Sequence, residues 1–393
     1  DVTVDGRALA TPAAGMATRP AKPAFMTARD AEVFRVSTED GYEIEATAWH
    51  DFYTARGKIK LSDLKVGDEL WVQSGKGQFG PEGSEELGLL LGLITGDGHF
   101  TNRGKGQEAV CVNLWNEERV LAELVTGIVN TLITGLSATA RRYQVAPVAV
   151  AERNHVCIRS VLLARALAAL GFTRATKLRV PEIVWRGNEA CVKGYLRALF
   201  QTDGTVNVSE SSQSCSIRLS SSYPALLKDV QVLLANLGIM ARLRLRRLAQ
   251  TKAMPDGRGG HSDYACQAQY ELIIDGQARE RFMQEVGFLL AYKTAKYQAW
   301  VADKVLYKTQ RAVSRIAAIV PIGRAPVYDT TQADGNSVIF NGLVTGQCGE
   351  QPLPPYGCCD LGPVILPRFV LHPFGHGGTA RFDFERFADC VAV

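Results

Sequence analysis

The spacing of apolar and polar positions changes character several times along the chain. From Gly41 to Trp71 apolar residues alternate with polar ones and short turns interrupt them, which predicts β-strands with one buried face. From Leu87 the alternation stops. LGLLLGLITGDG (Leu87 to Gly98) predicts an apolar helix ending at an Asp-Gly pair, and KGYLRALFQTDG (Lys193 to Gly204) predicts a second. Within IMARLRLRRLAQ (Ile239 to Gln250), Arg242, Arg244 and Arg246 alternate with Leu243 and Leu245, so a strand would carry arginines on one face and leucines on the other. Gly342 to Gln347 reads as the end of an apolar strand. At Cys348 the pattern breaks into CGEQPLPPYGCC, rich in Pro and Cys and without periodicity.

The two predicted helices share a template. Each has a small residue five positions before its Asp (Gly92, Ala198) and a Gly nine before it (Gly88, Gly194). GFTRATK, ending at Lys177, and GFLLAYK, ending at Lys293, repeat as well, in the same order, which indicates a tandem duplication. Small residues four apart lie on one helix face and let two backbones approach closely. Two such helices in contact would bring Asp97 and Asp203 side by side, as hard oxygen ligands for a divalent cation beside a phosphodiester. The alternative for either Asp-Gly alone is a helix C-cap with the Gly left-handed. Arg218, in SIRLSSS, and Arg141, Arg142 and Arg159 in the first repeat extend the basic stripe. They suit phosphate contact and guanine readout, or the solvated charge of an edge strand.

Composition narrows these readings. With 393 residues, 46% hydrophobic and 21% charged, the chain suits two or three packed domains. No apolar run approaches the length of a spanning helix, so no membrane partner is expected. The start at Asp1, without Met or a leader pattern, suggests a processed end. Nine cysteines without a Cys-x-x-Cys pair argue against a zinc ribbon or a secreted disulfide framework, and a reducing cytoplasm is the expected location. A net charge of +4 permits nucleic-acid binding without requiring it.

LLGLITGDG (Leu90 to Gly98) and LRALFQTDG (Leu196 to Gly204) resemble, in register, the motif of single-chain LAGLIDADG homing endonucleases. The resemblance covers about residues 80–300. It implies an α+β domain of two αββαββα-like halves related by a pseudo-two-fold axis, repeat one at about 80–185 and repeat two at about 186–300. It also implies Mg²⁺ or Mn²⁺ held by Asp97 and Asp203 with Gly96 and Thr202 beside them, and double-stranded DNA as partner. Lys177 and Lys293 fall on the family's basic positions near the scissile phosphates; a helix C-terminal cation is their other reading. A monomer is expected, because the duplication supplies what a two-fold dimer would.

The flanks resemble an intein. GYEIEATAWHDFYTARGKIKLSDLKVGDELW holds Thr47 and His50 at a Thr-x-x-His block, and VYDTTQADGNSVIFNGLVTGQC resembles the two closing blocks, with Asp329 at the acidic position. Residues 1–75 and 308–347 would then form an all-β Hint (splicing) horseshoe, with 76–307 inserted in a loop. Residues 348–393 resemble a fragment of a ribonucleotide reductase large chain. There Cys348 and Glu350 would fall on that enzyme's radical and acid positions, and adenosylcobalamin would belong only to the intact host enzyme.

That resemblance implies proton donation by His50, support of the strained peptide by Thr47, and assistance to acyl transfer by Asp329. Asp1 stands where Cys or Ser is expected, so either the position was altered or Cys348 attacks the upstream peptide directly. Gln347 replaces the terminal Asn and cyclises through a larger ring, Gly346 replaces a His, and Asn336 occupies the place of a second. With no segment before Asp1 to ligate, the expectation is no splicing and at most slow cleavage after Gln347.

Overall fold

The computed structural model describes residues 2–4, 16–102, 107–135, 143–150, 153–211, 213–255, 260–302, 311–332, 336–346, 366–372 and 377–391. The chain divides into two compact units, 1–348 and 349–393.

Both flanks of the larger unit build one sheet. Its strands are β1 (Phe25–Thr38), β2 (Glu43–Ala46), β3 (Asp51–Thr54), β4 (Gly57–Lys60) and β5 (Glu69–Trp71) from the N-terminal side. The remainder are β16 (Val313–Asp329), β17 (Ser337–Phe340) and β18 (Leu343–Gly346), numbered after the central elements given below. The order is β17-β18-β3-β5-β16-β1-β2, with β4 on β3. The long β1 and β16 pair antiparallel through several register shifts. Their buried residues, with Tyr42, Phe52, Leu70 and Leu343, form a core of their own. The alternation between Gly41 and Trp71 is thus a consequence of one face being buried in a β-only module.

The central segment runs twice through the same series of elements. The first pass is α1 (Glu85–Gly96), β6 (His99–Asn102), β7 (Glu108–Trp115), α2 (Ala122–Thr134), β8 (Val148–Val150), β9 (His155–Ser160) and α3 (Val161–Ala169). The second is α4 (Glu189–Thr202), β10 (Gly204–Ser209), β11 (Ser214–Ser221), α5 (Pro224–Asn236), β12 (Arg242–Arg247), β15 (Gln269–Ile274) and α6 (Gly276–Glu285), followed by α7 (Ala291–Val301). An additional exposed hairpin, β13 (Gln250–Pro255) and β14 (His261–Cys266), lies between β12 and β15. The sheets are ordered β8-β9-β7-β6 and β12-β15-β11-β10, so in both the third strand of the pass is at one edge and the first at the other.

Local chemistry starts these helices. Ser84 accepts from Leu87 N at 3.2 Å and Asn188 from Cys191 N at 2.9 Å, side-chain caps on the first turns of α1 and α4. Pro224 opens α5, where its missing N–H costs nothing. One apolar core runs through both passes, from Leu90, Leu93 and Ile94 to Leu196, Leu199 and Phe200.

The β module rests on the second pass through the turn after β1. Asp40 O accepts from Leu243 N (2.9 Å) and from Gln231 Nε2 (2.8 Å), while Asp40 Oδ2 accepts from Ser314 Oγ (2.8 Å). Gly41, at φ +89, passes so close that a Cβ there would stand 2.6 Å from Leu243 Cβ.

In the smaller unit, strands Val370–Leu371 and Arg381–Phe382 pair, and Phe387 of the following helix stacks edge-on against Phe369 and Phe382.

Candidate active site at the ends of two touching helices

α1 and α4 meet backbone to backbone. A Cβ on Gly88 would lie 2.0 Å from Cys191 O, one on Gly92 2.3 Å from Tyr195 O, and one on Gly194 2.4 Å from Glu85 O. The small residues singled out by spacing are therefore the contact itself. Any side chain there would separate the helices. At the far end Gly96 faces Thr202, whose Oγ1 would be 2.0 Å from an added Cβ. The next residues are Asp97 and Asp203.

Both aspartates end their helices in right-handed conformation (φ −93 and −95), and neither following glycine has positive φ. The left-handed cap is therefore not what these glycines serve. Gly98 and Gly204 are required because a Cβ would meet Ile94 Cα at 2.6 Å and Phe200 O at 2.4 Å as the chain turns into β6 and β10.

The aspartates lie among charges. Asp203 is exposed, yet the protein packed around it disfavours the charged form, and with Asp97 nearby its carboxyl is pushed up to about 6. Burial also raises Asp97, against the pull of Lys177 and Lys293. Both lysines are half-buried and held below the ordinary lysine range, chiefly by desolvation. The four residues picked out by the duplication therefore converge.

Sequence reasoning missed the groups behind them. Glu118, 7% exposed, accepts from Gln201 Nε2 at 3.2 Å and lies in the field of Asp97. Gln201 also donates to Tyr292 Oη at 3.2 Å. Asn113 Nδ2 donates to Asp97 O at 3.0 Å. Nothing in NEERV separates Glu118 from Glu117, and Gln201 falls at four-residue spacing from Lys193 and Arg197, so it reads as part of a polar helix face although it is fully buried.

Three arginines of the basic stripe have carboxylate partners. Arg246 pairs with Glu271 at 2.9 Å, Arg218 with the same carboxylate at 3.2 Å, and Arg242 with Asp275. A register shift between Leu245 and Arg247 leaves Leu245 50% exposed, so the leucines do not all face the core. Arg244 has no ion-pair partner among the described residues. Arg159 is exposed and donates to Thr101 Oγ1 at 3.1 Å. Arg141 and Arg142 lie outside the described residues.

In the β module, Thr47 and Asp329 are buried and His50 sits between the fields of Asp329 and Asp51. His50 N donates to Thr47 O at 3.1 Å. Burial lowers the His50 pKa, and its Nε2 is enclosed without a hydrogen-bond partner among the described residues. The sequence-separated Thr47, His50 and Asp329 thus meet. Asp1, Gln347, Cys348 and Glu350 lie outside the described residues.

Comparison with known proteins bears on the duplicated segment. Residues 190–287 match the family described as LAGLIDADG-like domain. Those residues, the second pass of the duplicated segment, carry a LAGLIDADG-like domain. It is also 34% identical over 344 residues to the ribonucleoside-diphosphate reductase NrdEB subunit alpha of Bacillus subtilis (strain 168), covering 84% of this chain and 31% of that protein. The ribonucleoside-diphosphate reductase large subunit of Invertebrate iridescent virus 6 is 26% identical over 84% of this chain and 32% of its own length. The replicative DNA helicase DnaB of Rhodothermus marinus is 27% identical over 74% of this chain and 29% of its own. The chain thus spans about a third of the length of these relatives. Among solved structures, I-DmoI in complex with DNA and Mn aligns at TM-score 0.33 and 17% identity, over 52% of this chain and 96% of that one. The LAGLIDADG domain and the reductase matches together fit an intein that carries a homing endonuclease within a ribonucleotide reductase.

Among the described residues no cluster of three or more His, Cys, Asp or Glu side chains forms a metal cage. Two carboxylates at touching helix ends instead suit a hard cation that takes its other oxygens from water and phosphate. No helix among the described residues is long and apolar enough to cross a membrane.

Proposed function

We propose that this chain is a site-specific DNA endonuclease embedded in an intein, with the intein-free reductase gene as its target. The observation that carries the reading is the convergence of Asp97 and Asp203 at the ends of backbone-contacting helices, with Lys177 and Lys293 beside them. Asp97 and Asp203 would hold Mg²⁺ or Mn²⁺ near Gly96 and Thr202, and the bound cation would supply activated water and charge neutralisation at the phosphate. The helix contact sets the spacing of the carboxylates. The lysines place positive charge beside the phosphate oxygens on which charge grows, and their lowered pKa values bring them nearer to proton exchange at neutral pH. Arg244 and Arg159, with Arg218, Arg242 and Arg246 along the same sheets, would line the duplex, and Arg141 and Arg142 are proposed to join them.

Reductases and a helicase share no chemistry, yet each aligns with this chain over about a third of its own length. A common segment in unrelated hosts is what an inserted element produces. On this reading residues 1–75 and 308–347 are the Hint splicing domain, 76–307 the endonuclease, and 348–393 the host fragment, whose Cys348 and Glu350 would act only in the whole, adenosylcobalamin-dependent reductase. The enclosed His50 Nε2 beside Asp329 supports a splicing pocket, while Asp1 and Gln347 argue for weak splicing. The chain would act in the cytoplasm as a monomer.

The test is incubation of the chain with a plasmid bearing the fused reductase junction, with and without Mg²⁺, beside Asp97→Asn and Asp203→Asn. A single metal-dependent double-strand cut, lost in both variants, is expected. Tight binding to the junction without any cut would leave a splicing element whose LAGLIDADG domain only binds DNA.

A further inference from the structure

The two halves match around their aspartates, but their lysines do not do the same work. Lys293, in the first turn of α7, points back at the end of α4. Its ammonium donates to Phe200 O at 3.3 Å, to Gln201 O, and to Gly204 O at 2.6 Å. An ammonium has three protons, and these three carbonyls take all of them. Gln201 O is among the carbonyls that a helix end leaves without partners, Phe200 O also receives the N–H of Asp203, and Gly204 is the first residue of β10, so Lys293 ties the end of α4 to the start of that strand.

A network built on the buried Glu118 and Gln201 holds Lys293 there. Among charged side chains, Glu118 acts on it most strongly, ahead of Asp203 and Asp97. Gln201 ties Glu118 to Tyr292, the neighbour of Lys293, and its Oε1 accepts from Leu290 N at 3.1 Å, so the start of α7 is anchored as well.

Among the described residues the first half has no such device. The position matching Gln201 is Thr95, whose hydroxyl turns back to Leu91 O at 2.8 Å. The position matching Tyr292 is Thr176, which donates to Gly171 O at 2.8 Å. Among the described residues the Lys177 ammonium has no hydrogen bond, although it lies in the fields of Asp203 and Asp97. Among the described residues nothing engages its three protons, which leaves them for an incoming phosphate oxygen.

We propose that Lys177 is the lysine that acts on the reacting phosphate, that Lys293 is a positioning residue locked to the end of α4, and that the two DNA strands are therefore cut in a fixed order. The strand whose scissile phosphate faces Lys177 is cut first. For Lys293 to serve the other strand it must give up a carbonyl and move against Glu118. This deepens the endonuclease reading and rests on it.

The test uses the full chain, a junction duplex labelled on each strand in turn, and thermal melts without metal. Nicked duplex should accumulate, with one strand cut at least about tenfold faster. Lys177→Met should slow that strand about a hundredfold, the scale for loss of one donor to a developing anion, and leave the melting temperature unchanged. Lys293→Met should lower the metal-free melting temperature by a few degrees. Glu118→Gln should narrow the difference between strands by loosening Lys293. Equal cutting of both strands, or a metal-free melt that Lys293→Met does not lower, overturns the assignment while leaving the endonuclease reading intact. A chain that binds the junction and cuts neither strand overturns both.

Discussion

Asp203 lies in the field of Asp97 across the contact of α1 and α4, and together with burial that field lifts its carboxyl to about 6. The site thus stores unfavourable charge in a protein without metal.

Asp203→Asn should therefore raise metal-free stability at pH 7 while abolishing cutting. The folded pKa is above the ordinary value, so the protonated group favours folding, and this contribution is lost as pH rises through about 6. The rise from an ordinary aspartate to about 6 sets a ceiling of roughly 3 kcal/mol, and because Asp203 is open to solvent the expected gain is nearer ~1 kcal/mol. Thermal melts of both proteins from pH 4 to pH 8 check it. The difference should be near zero at the acid end and largest above pH 6.

Added Mg²⁺ should raise the melting temperature more at pH 7.5 than at pH 5, because ligation requires ionised carboxylates. In Asp97→Asn/Asp203→Asn the shift should vanish. A metal-induced shift that persists in the double variant would place the cation elsewhere.

Gly88→Ala is a one-methyl change with a large expected effect. The added Cβ meets backbone, Cys191 O at 2.0 Å, so no rotamer relieves it and the helices must part. A loss of about 3 kcal/mol is expected, the upper part of the overpacking range. The control Gly127→Ala, on α2 with open space around it, should be neutral or stabilising by less than about 1 kcal/mol. Chemical denaturation of both variants measures the contrast.

Arg244→Ala should weaken junction binding more than Arg246→Ala. Arg246 and Arg218 share Glu271, so each brings less net charge to DNA, whereas Arg244 forms no ion pair among the described residues. Removing one phosphate contact reduces the salt slope of log K by about 1. That reduction is expected for Arg244→Ala, read from binding isotherms at several salt concentrations in Ca²⁺.

Release of residues 348–393 should be slow in this chain and at least about tenfold faster in Gln347→Asn, because the Asn side chain closes the more favourable five-membered ring. Gel separation of the shortened product over time checks this.

The helix pair was legible because its requirements are local and repeated. Two backbones in contact demand small residues at fixed spacing, and an Asp-Gly at each end is visible without any tertiary knowledge. The alternation from Gly41 to Trp71 likewise reported its own buried face, since a strand's side chains alternate whatever it packs against. What no pattern carried was which polar groups find each other. Arg218 and Arg246 look as free as Arg244 until β15 brings Glu271 between them. Glu118 looks like surface charge until it is closed over by Gln201. Lys177 and Lys293 read as equivalents because the repeat is written in the chain. Their difference arises from Glu118, Gln201 and Tyr292, which come from three separate elements. Periodicity records what one segment buries; hydrogen bonds and charges act through space, so partners far apart in the chain are chosen only when it folds.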